Sequence, residues 1–270
     1  MQTNELTMAI CAYGQSAYLE EAILSLKNQT ASVKLLLATS TPSDFIENLA
    51  RKYDLEYHIN PVRGGGIAAD WEFAVSCAQT EYVTIAHQDD IYFPEYAEMI
   101  HQAFQKNPNS LIVFTDYCDL IKGEYLFNRS YLWIKRLLLW PYSLKSSWKS
   151  KLMKRSALSF GNAICCPSVT YNIRKLGVLQ FDRSYSVNLD WAKWLELSSL
   201  NGNFTYINKR LMAHRIDEST ETSAAVQDNR RYNEDLRILS SIWGKTIAKF
   251  LMIFYSKSYK MATAERKHEQ

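Results

Sequence analysis

Cysteine is scarce in this chain of 270 residues, and its spacing is irregular. The five cysteines include no C-x-x-C pair, and an odd number excludes a regular disulfide framework. We therefore expect free thiols, mostly buried, in a reducing compartment. Long hydrophobic runs are also absent: none approaches the ~18 apolar residues that span a bilayer. The N-terminus lacks a basic segment followed by an apolar one, so we expect no secretory signal.

No charge of one sign dominates the composition. Lys and Arg number 31 and Asp and Glu 28, a formal net charge of +3, which excludes a dedicated nucleic-acid-binding protein of the strongly basic kind. Hydrophobic residues make up 47% and charged residues 22%, so disordered, collagen-like and coiled-coil chains are excluded. The length suits one large domain or two small ones.

Apolar runs alternate with amphipathic segments over the first 117 residues. The pattern predicts strands over 6–12, 33–39, 55–59, 81–86 and 111–115, with helices over 18–28, 41–52, 67–78 and 94–106 between them. Such alternation is typical of an α/β fold with a parallel sheet, whose ligands bind beyond the carboxyl ends of the strands. After residue 119 the pattern is weaker. It predicts short mixed elements over 161–215 and helix over the last forty residues.

Polar side chains follow three of the predicted strands. Tyr13 follows the first, Ser40 the second, and Asp89 and Asp90 the fourth. Two adjacent carboxylates repel each other unless a cation lies between them or one is protonated. Mg²⁺ and Mn²⁺ prefer such oxygens and often bridge to phosphates. The pair therefore fits a metal–diphosphate site, or alternatively a solvated loop that caps the next helix.

Five segments in order carry a resemblance to a known family. They are 6–30 (LTMAICAYGQSAYLEEAILSLKNQT), 60–71 with its Gly-x-x-x-Asp-Trp end, 85–96 (IAHQDDIYFPEY), 181–202 (FDRSYSVNLDWAKWLELSSLNG) and 211–220 (LMAHRIDEST). Together they resemble family 2 glycosyltransferases of the GT-A fold, as found in bacterial cell-surface polysaccharide synthesis. The resemblance covers about residues 6–220.

The resemblance implies a Rossmann-like, mostly parallel central sheet flanked by helices, with a helical acceptor-side and C-terminal region. It divides the chain into a nucleotide-sugar-binding half (1–120), an acceptor-binding half (121–230) and a C-terminal helical extension (231–270). It also implies an inverting transfer of a sugar from a nucleotide-diphosphate donor to a saccharide or lipid-linked acceptor.

The donor contacts follow from the same motifs. The resemblance assigns the nucleotide sugar to Ala12, Tyr13, Ser40, Gly65, Asp70, Gln88 and Arg215. The family usually has an Asp in the second loop, where this chain has Ser40, so the base stays open between uracil and thymine. Gly64–Gly66 lacks the G-x-G-x-x-G spacing of dinucleotide-binding proteins and instead predicts a tight backbone turn beside the donor.

The metal and the catalytic base are also implied by the family motifs. Asp89 corresponds to a ligand of Mg²⁺ or Mn²⁺, Asp90 to a second ligand or an orienting group, and His214 to a contact with metal or diphosphate. His87 replaces the usual first Asp of the acidic motif. Asp190 corresponds to the general base, which must remove the proton of the acceptor hydroxyl. Its alternative interpretation is the N-cap of a helix.

Two other functions stay open at this point. A sugar nucleotidyltransferase would need a glycine-rich basic loop near the N-terminus, and Tyr13–Ser16 contains no Lys or Arg. A non-catalytic sugar-binding protein on the same fold is compatible with His87 and with the altered second loop.

Two segments, 131–154 and 242–260, mix aromatic, aliphatic and basic residues. They suit interfacial helices on anionic lipid, or helices packed on their own domain with lysines reaching outward. We expect a cytoplasmic protein, with peripheral contact to the inner face of the plasma membrane as one alternative and no nucleic-acid partner.

Overall fold

The computed structural model of the chain describes residues 6–217 and 229–268, and in the second segment it describes side chains as far as residue 253. Five strands and four helices build the first part: β1 (Leu6–Ala12), α1 (Leu19–Lys27), β2 (Lys34–Thr39), α2 (Asp44–Lys52), β3 (Glu56–Ile59), α3 (Gly66–Cys77), β4 (Tyr82–His87), β5 (Ile91–Tyr92) and α4 (Tyr96–Lys106).

The second part is more irregular. Its elements are β6 (Ser110–Ile121), β7 (Glu124–Leu126), α5 (Ser130–Leu138), α6 (Trp140–Leu144), β8 (Ser147–Trp148), α7 (Lys151–Ser156), a short 3₁₀ turn (Cys166–Ser168), β9 (Val169–Asn172), α8 (Ile173–Leu176), α9 (Leu189–Leu197), β10 (Asn203–Arg215) and α10 (Arg230–His268). Helix α10 bends at Gly244, whose φ of 77° is outside the helical range.

One sheet joins the described strands in the order β3-β2-β1-β4-β9-β6-β10-β5. Strands β1 to β4 pair in parallel, and so do β6 and β10. Strand β9 lies antiparallel between β4 and β6. The predicted α/β class with a mostly parallel sheet flanked by helices is therefore confirmed.

Several predicted boundaries are wrong, and the two largest differences, in β6 and β10, share a cause. The predicted strand 111–115 is the start of a strand that continues to Ile121, and β10 is a 13-residue strand where short mixed elements were expected. The two strands pair with each other over most of their lengths. Because this pairing joins segments about 95 residues apart, local periodicity does not reveal it. The helix predicted from residue 94 begins at Tyr96, after the short strand β5.

Two hydrophobic cores lie against the sheet. One contains α1, α2 and α4, and the other contains α3, α9 and the inner face of α10. Trp191 and Trp194 of α9 are fully buried, so α9 is fixed firmly in the second core. The five cysteines are free thiols, as their spacing predicts. Among the helices of the described segments, none combines the length and hydropathy needed to cross a bilayer. The division into 1–120, 121–230 and 231–270 stays a prediction.

Candidate active site

The loops that follow β1, β2 and β4 meet at one edge of the sheet. The register pairs Cys11 with His87 and Ala12 with Thr39, so these strands end side by side. The Tyr13 amide donates a hydrogen bond to Gln88 Oε1 at 2.9 Å. The Gly14 amide donates one to Thr41 Oγ1 at 2.8 Å. The predicted donor residues Tyr13, Ser40 and Gln88 therefore lie on neighbouring loops, and Ala12 ends β1 beside them.

Asp70 connects the second loop to α3. Ser40 Oγ donates a hydrogen bond to one Asp70 carboxylate oxygen and Asn60 Nδ2 donates to the other, each at 2.9 Å. The carboxylate therefore lies beside Ser40, at the loop where the family usually carries an Asp of its own. The sequence identified both residues but did not predict that they pair.

The glycine turn before α3 has a steric reason. Gly64 and Gly66 have backbone φ values of 70° and 74°, which residues that carry a Cβ rarely adopt. A Cβ on Gly65 would lie 2.6 Å from the Ala69 Cβ. Gly65 is thus required by close packing against the first turn of α3, and its place in donor binding stays a prediction.

Asp89 and Asp90 form one group with His87. One ligand atom from each lies within 4.8 Å of the others, and this is the group able to hold a metal ion among the residues that the structure describes. His87 Nδ1 is 3.6 Å from Asp90 Oδ2. Within the described segments, Asp90 Oδ2 and His87 Nε2 are buried without a hydrogen-bond partner.

Burial and neighbouring charges shift the pKa values of Asp90 and His87 in this group. Burial and the charge of Asp89 raise the pKa of Asp90 well above its ordinary value. Burial lowers the pKa of His87, while the charges of Asp89 and Asp190 raise it. A hard divalent cation would relieve the carboxylate repulsion and use the unpartnered oxygen. The residues present therefore fit Mg²⁺ or Mn²⁺.

The alternative helix-capping role of this acidic pair is not what the structure shows. Helix α4 has Glu95 at its N-cap and no side-chain cap. Asp90 Oδ1 instead accepts a hydrogen bond from the Arg215 amide at 2.8 Å. Asp90 is thus hydrogen-bonded to the last residue of β10.

Arg215 orders the acidic loop. Its Nε donates to the Asp89 carbonyl at 2.7 Å, its Nη2 pairs with Glu21 at 2.5 Å, and its guanidinium lies 4.0 Å from the centre of the Tyr18 ring. The predicted diphosphate contact is therefore a side chain that already has three protein partners. In this geometry it positions Asp89 and Asp90.

His214 lies outside the His87–Asp89–Asp90 group. Its ring packs edge-on to Tyr117 at 6.3 Å. Burial lowers its pKa to about 3, with the charges of Lys135, His87 and Arg231 acting in the same direction. His214 is thus a neutral imidazole near His87, and its predicted contact with metal or diphosphate stays a prediction. Sequence reasoning missed His87 as a member of the group, because the family motif has Asp at this position.

Asp190 is buried at the start of α9. The helix has Asn188 at its N-cap, so the alternative N-cap role of Asp190 is wrong by two positions. Its Oδ2 accepts a hydrogen bond from Asn162 Nδ2 at 3.1 Å, and its Oδ1 accepts one from the Trp191 amide at 2.6 Å. Burial raises its pKa, against the lowering effect of Arg231. The charges of Asp190 and Asp89 both raise the pKa of His87.

Helix α10 holds the segment that leads into Asp190. The Glu234 carboxylate accepts hydrogen bonds from the amides of Ser186, Val187 and Asn188 at 2.7 to 3.0 Å. Asp235, which is buried, accepts one from Asn188 Nδ2 at 2.7 Å. Sequence reasoning missed both residues, because nothing local to α10 shows that its carboxylates contact a loop about 47 residues earlier.

Residues 7–173 match the family model described as Glycosyl transferase family 2, which is more than half of the chain. The chain belongs to glycosyl transferase family 2. The matched range contains the donor-side loops and the acidic group. Asp190, His214 and Arg215 lie beyond it.

Solved structures of S. aureus TarS share the fold of this family 2 chain. The complex of TarS 1–349 with UDP-GlcNAc has a TM-score of 0.62 at 14% identity, over 92% of this chain and 70% of that one. The complex with UDP has 0.59 at 14% identity, over 88% and 70%. A longer TarS structure has 0.59 at 12% identity, and there this chain spans 42% of that chain. A search of the curated proteins finds no match. The GT-A fold is thereby shown.

Proposed function

We propose that this family 2 member is a metal-dependent, inverting glycosyltransferase. It moves a sugar from a nucleotide-diphosphate donor to a saccharide or lipid-linked acceptor in the synthesis of a cell-surface glycan. The carrying observation is the His87–Asp89–Asp90 group, with its buried unpartnered oxygen, at the sheet edge where the donor loops meet. The five free thiols support a cytoplasmic location.

Asp89, Asp90 and His87 are the residues that would hold Mg²⁺ or Mn²⁺, with His214 as a further neutral imidazole nearby. When bound, such a cation neutralises the charge that develops on the departing nucleoside diphosphate. Arg215 keeps the loop of Asp89 and Asp90 in place through its amide and its Nε. The replacement of the first acidic residue by His87 therefore keeps a ligand, which supports an active enzyme over a non-catalytic one.

Asp190 acts as the general base. It accepts the proton of the acceptor hydroxyl while that oxygen bonds to the anomeric carbon and the bond from this carbon to the diphosphate breaks. Attack from the face opposite the diphosphate inverts the anomeric configuration. Burial raises the pKa of Asp190, which makes the carboxylate a stronger base than an exposed one. Its bonds to Asn162 and to the Trp191 amide fix its orientation.

The donor contacts are proposed for the joined loops. Ala12, Tyr13 and Gln88 border the nucleotide, and the Ser40–Asp70 pair supplies the carboxylate that the second loop lacks. The nucleotides named in the TarS structures, UDP and UDP-GlcNAc, make uridine nucleotides the first to test, with thymidine nucleotides beside them.

Calorimetry with a panel of nucleotide sugars, with and without Mn²⁺, tests the proposal. We expect metal-dependent donor binding and slow hydrolysis of the bound donor. Donor binding that ignores metal, with neither hydrolysis nor transfer, would favour the non-catalytic sugar-binding protein. Formation of a nucleotide sugar from a sugar phosphate and a nucleoside triphosphate would favour the nucleotidyltransferase.

A further inference from the structure

Helices α5 and α6 present an apolar stripe to solvent. Trp133, Leu137, Trp140 and Leu144 follow one another at intervals of four, three and four residues, the spacing of one helical face. Trp133 is 62% exposed and Leu137 is 68% exposed, and Ile134 beside them is also exposed. We call these five side chains the α5–α6 stripe.

The stripe is not needed by the fold. The opposite side of the same helices fills the cores through Leu132, Leu139 and Tyr142, all of them buried. One face of segment 131–154 thus packs on its own domain and the other is exposed, so the membrane alternative stays open for the exposed face. Contiguous apolar side chains that remain in solvent mark a surface for another partner.

The charge around the stripe identifies the kind of partner. From Tyr125 to Phe181 the chain has ten Lys and Arg and no Asp or Glu, which leaves 21 basic and 28 acidic residues elsewhere. The nearly neutral total therefore hides a basic segment, in which Lys154 is buried and Arg136 pairs with Asp116. Lys145, Lys149 and Lys151 are exposed next to the stripe. Trp148 joins Lys145 to α6, since its ring faces the ammonium and its Nε1 bonds the Pro141 carbonyl.

We propose that the α5–α6 stripe docks on an anionic lipid bilayer. Exposed Trp and Leu with flanking lysines are the composition of an interfacial helix, whose apolar side enters the acyl boundary while its cations meet the headgroups. A second copy of the same face would bring two basic segments together, which their charges oppose. A soluble polyanion would satisfy the lysines and leave the tryptophans without a partner.

The position of α5 gives this docking a consequence for catalysis. On the side away from the stripe, Tyr131 donates a hydrogen bond to Asp119 and Lys135 donates one to Tyr117, both on β6. The charge of Lys135 reaches Asp190 and His214. One helix, about 10 Å across, therefore separates the docked stripe from β6. This arrangement suits an acceptor whose carrier remains in the membrane.

Vesicle flotation of the full chain tests the proposal, with neutral phosphatidylcholine vesicles and with vesicles that also contain phosphatidylglycerol. We expect binding to the anionic vesicles that weakens with added salt, and a blue shift of tryptophan fluorescence. Neutralising one flanking lysine should weaken binding about fivefold. The double variant Lys145→Glu/Lys149→Glu should lose more than that, and Trp133→Ala/Leu137→Ala at least about tenfold.

Matched variants control for general charge and hydropathy. Lys106→Glu and Leu24→Ala change exposed residues on α4 and α1, and they should bind the vesicles like the wild type. Donor binding without vesicles should be the same in all of these variants, so the test is independent of the metal site and of Asp190.

Three results would overturn the proposal. The first is no binding to anionic vesicles by the wild type. The second is binding that the Trp133→Ala/Leu137→Ala variant retains, while soluble polyphosphate or nucleic acid competes fully, because the surface then recognises a soluble polyanion. The third is a wild-type dimer that this variant converts to a monomer while vesicle binding is unchanged, because the stripe is then a contact between copies.

Discussion

The proposed donor side of the molecule (residues 6–92) and its proposed acceptor side (residues 125–217 with α10) place their polar groups in different ways. On the proposed donor side, parallel strands end together, so the short loops after β1, β2 and β4 bring their polar groups to one edge of the sheet. On the acceptor side, Asp190 depends on partners from distant segments, namely Asn162 and the loop held by Glu234. The order of the parallel strands therefore places the proposed donor residues, whereas the proposed base, Asp190, is placed by contacts with irregular segments far away in sequence.

Removing the base is the sharpest way to break this comparison. In Asp190→Asn the carboxylate can no longer take the acceptor proton, so kcat should fall about 10²- to 10⁴-fold. Donor affinity should stay within about twofold, since the donor loops lie elsewhere; the figure corresponds to about 0.4 kcal/mol. Steady-state transfer and donor calorimetry measure the two quantities.

Asp182→Asn is the matched control, because Asp182 is exposed eight residues earlier in the same segment. It should leave kcat unchanged. If Asp190→Asn retains transfer within a few-fold, another group is the base and the two sides do not divide the work as described.

The next largest effect is expected on donor binding, when a proposed metal ligand on the donor side is removed. Asp89→Ala should weaken metal-dependent donor binding at least about tenfold, because one of the three grouped ligands is lost. His87→Ala should behave in the same way, and His214→Ala should have a smaller effect because His214 lies outside the group. Manganese titration followed by calorimetry measures this order. Equal losses in the two histidine variants would place His214 among the ligands.

Changing Glu234 should affect both the stability of the protein and its kcat. Glu234→Gln weakens the acceptor of three amide hydrogen bonds before α9. We expect a loss of about 1–2 kcal/mol in the free energy of unfolding and a lower kcat, with the KM for the donor unchanged. Thermal unfolding and the kcat-to-KM split are the measurements.

Glu47→Gln is the control for Glu234. It removes an exposed i, i+4 ion pair with Arg51 and should change stability by no more than about 0.5 kcal/mol. A rise in the donor KM in Glu234→Gln would show that α10 also shapes the donor side.

The pH profile should give the smallest change, a displaced acid limb. Burial raises the pKa of Asp190 above its ordinary value, and the base works in its ionised form. Transfer should therefore increase with pH through this raised pKa and fall as pH drops below it. The profile of kcat at saturating metal measures the limb. An acid limb at the pKa of an exposed carboxyl would show that Asp190 is not the titrating group.

Much of the fold could be predicted from the sequence, because most of its first nine elements have a recognisable local pattern. Strands β1 to β4 and helices α1 to α4 are near the predicted positions, because apolar runs and helical faces can be counted along the chain. The neighbouring ends of β1, β2 and β4 followed from the expected parallel sheet. The pairing of β6 with β10 and the insertion of β9 could not be predicted, since they join segments far apart in sequence.

By itself, the sequence determined the α/β class, the family motifs and the acidic residues at the end of β4. Only the tertiary structure decided which groups meet: His87 with Asp89 and Asp90, Ser40 with Asp70, Glu234 with the loop before Asp190, and an uncovered apolar stripe on α5 and α6. The physical reason is that hydrophobic periodicity and residue chemistry can be recognised within a short stretch of sequence. Burial, and the partner of each charge, depend on which distant segments the fold brings together.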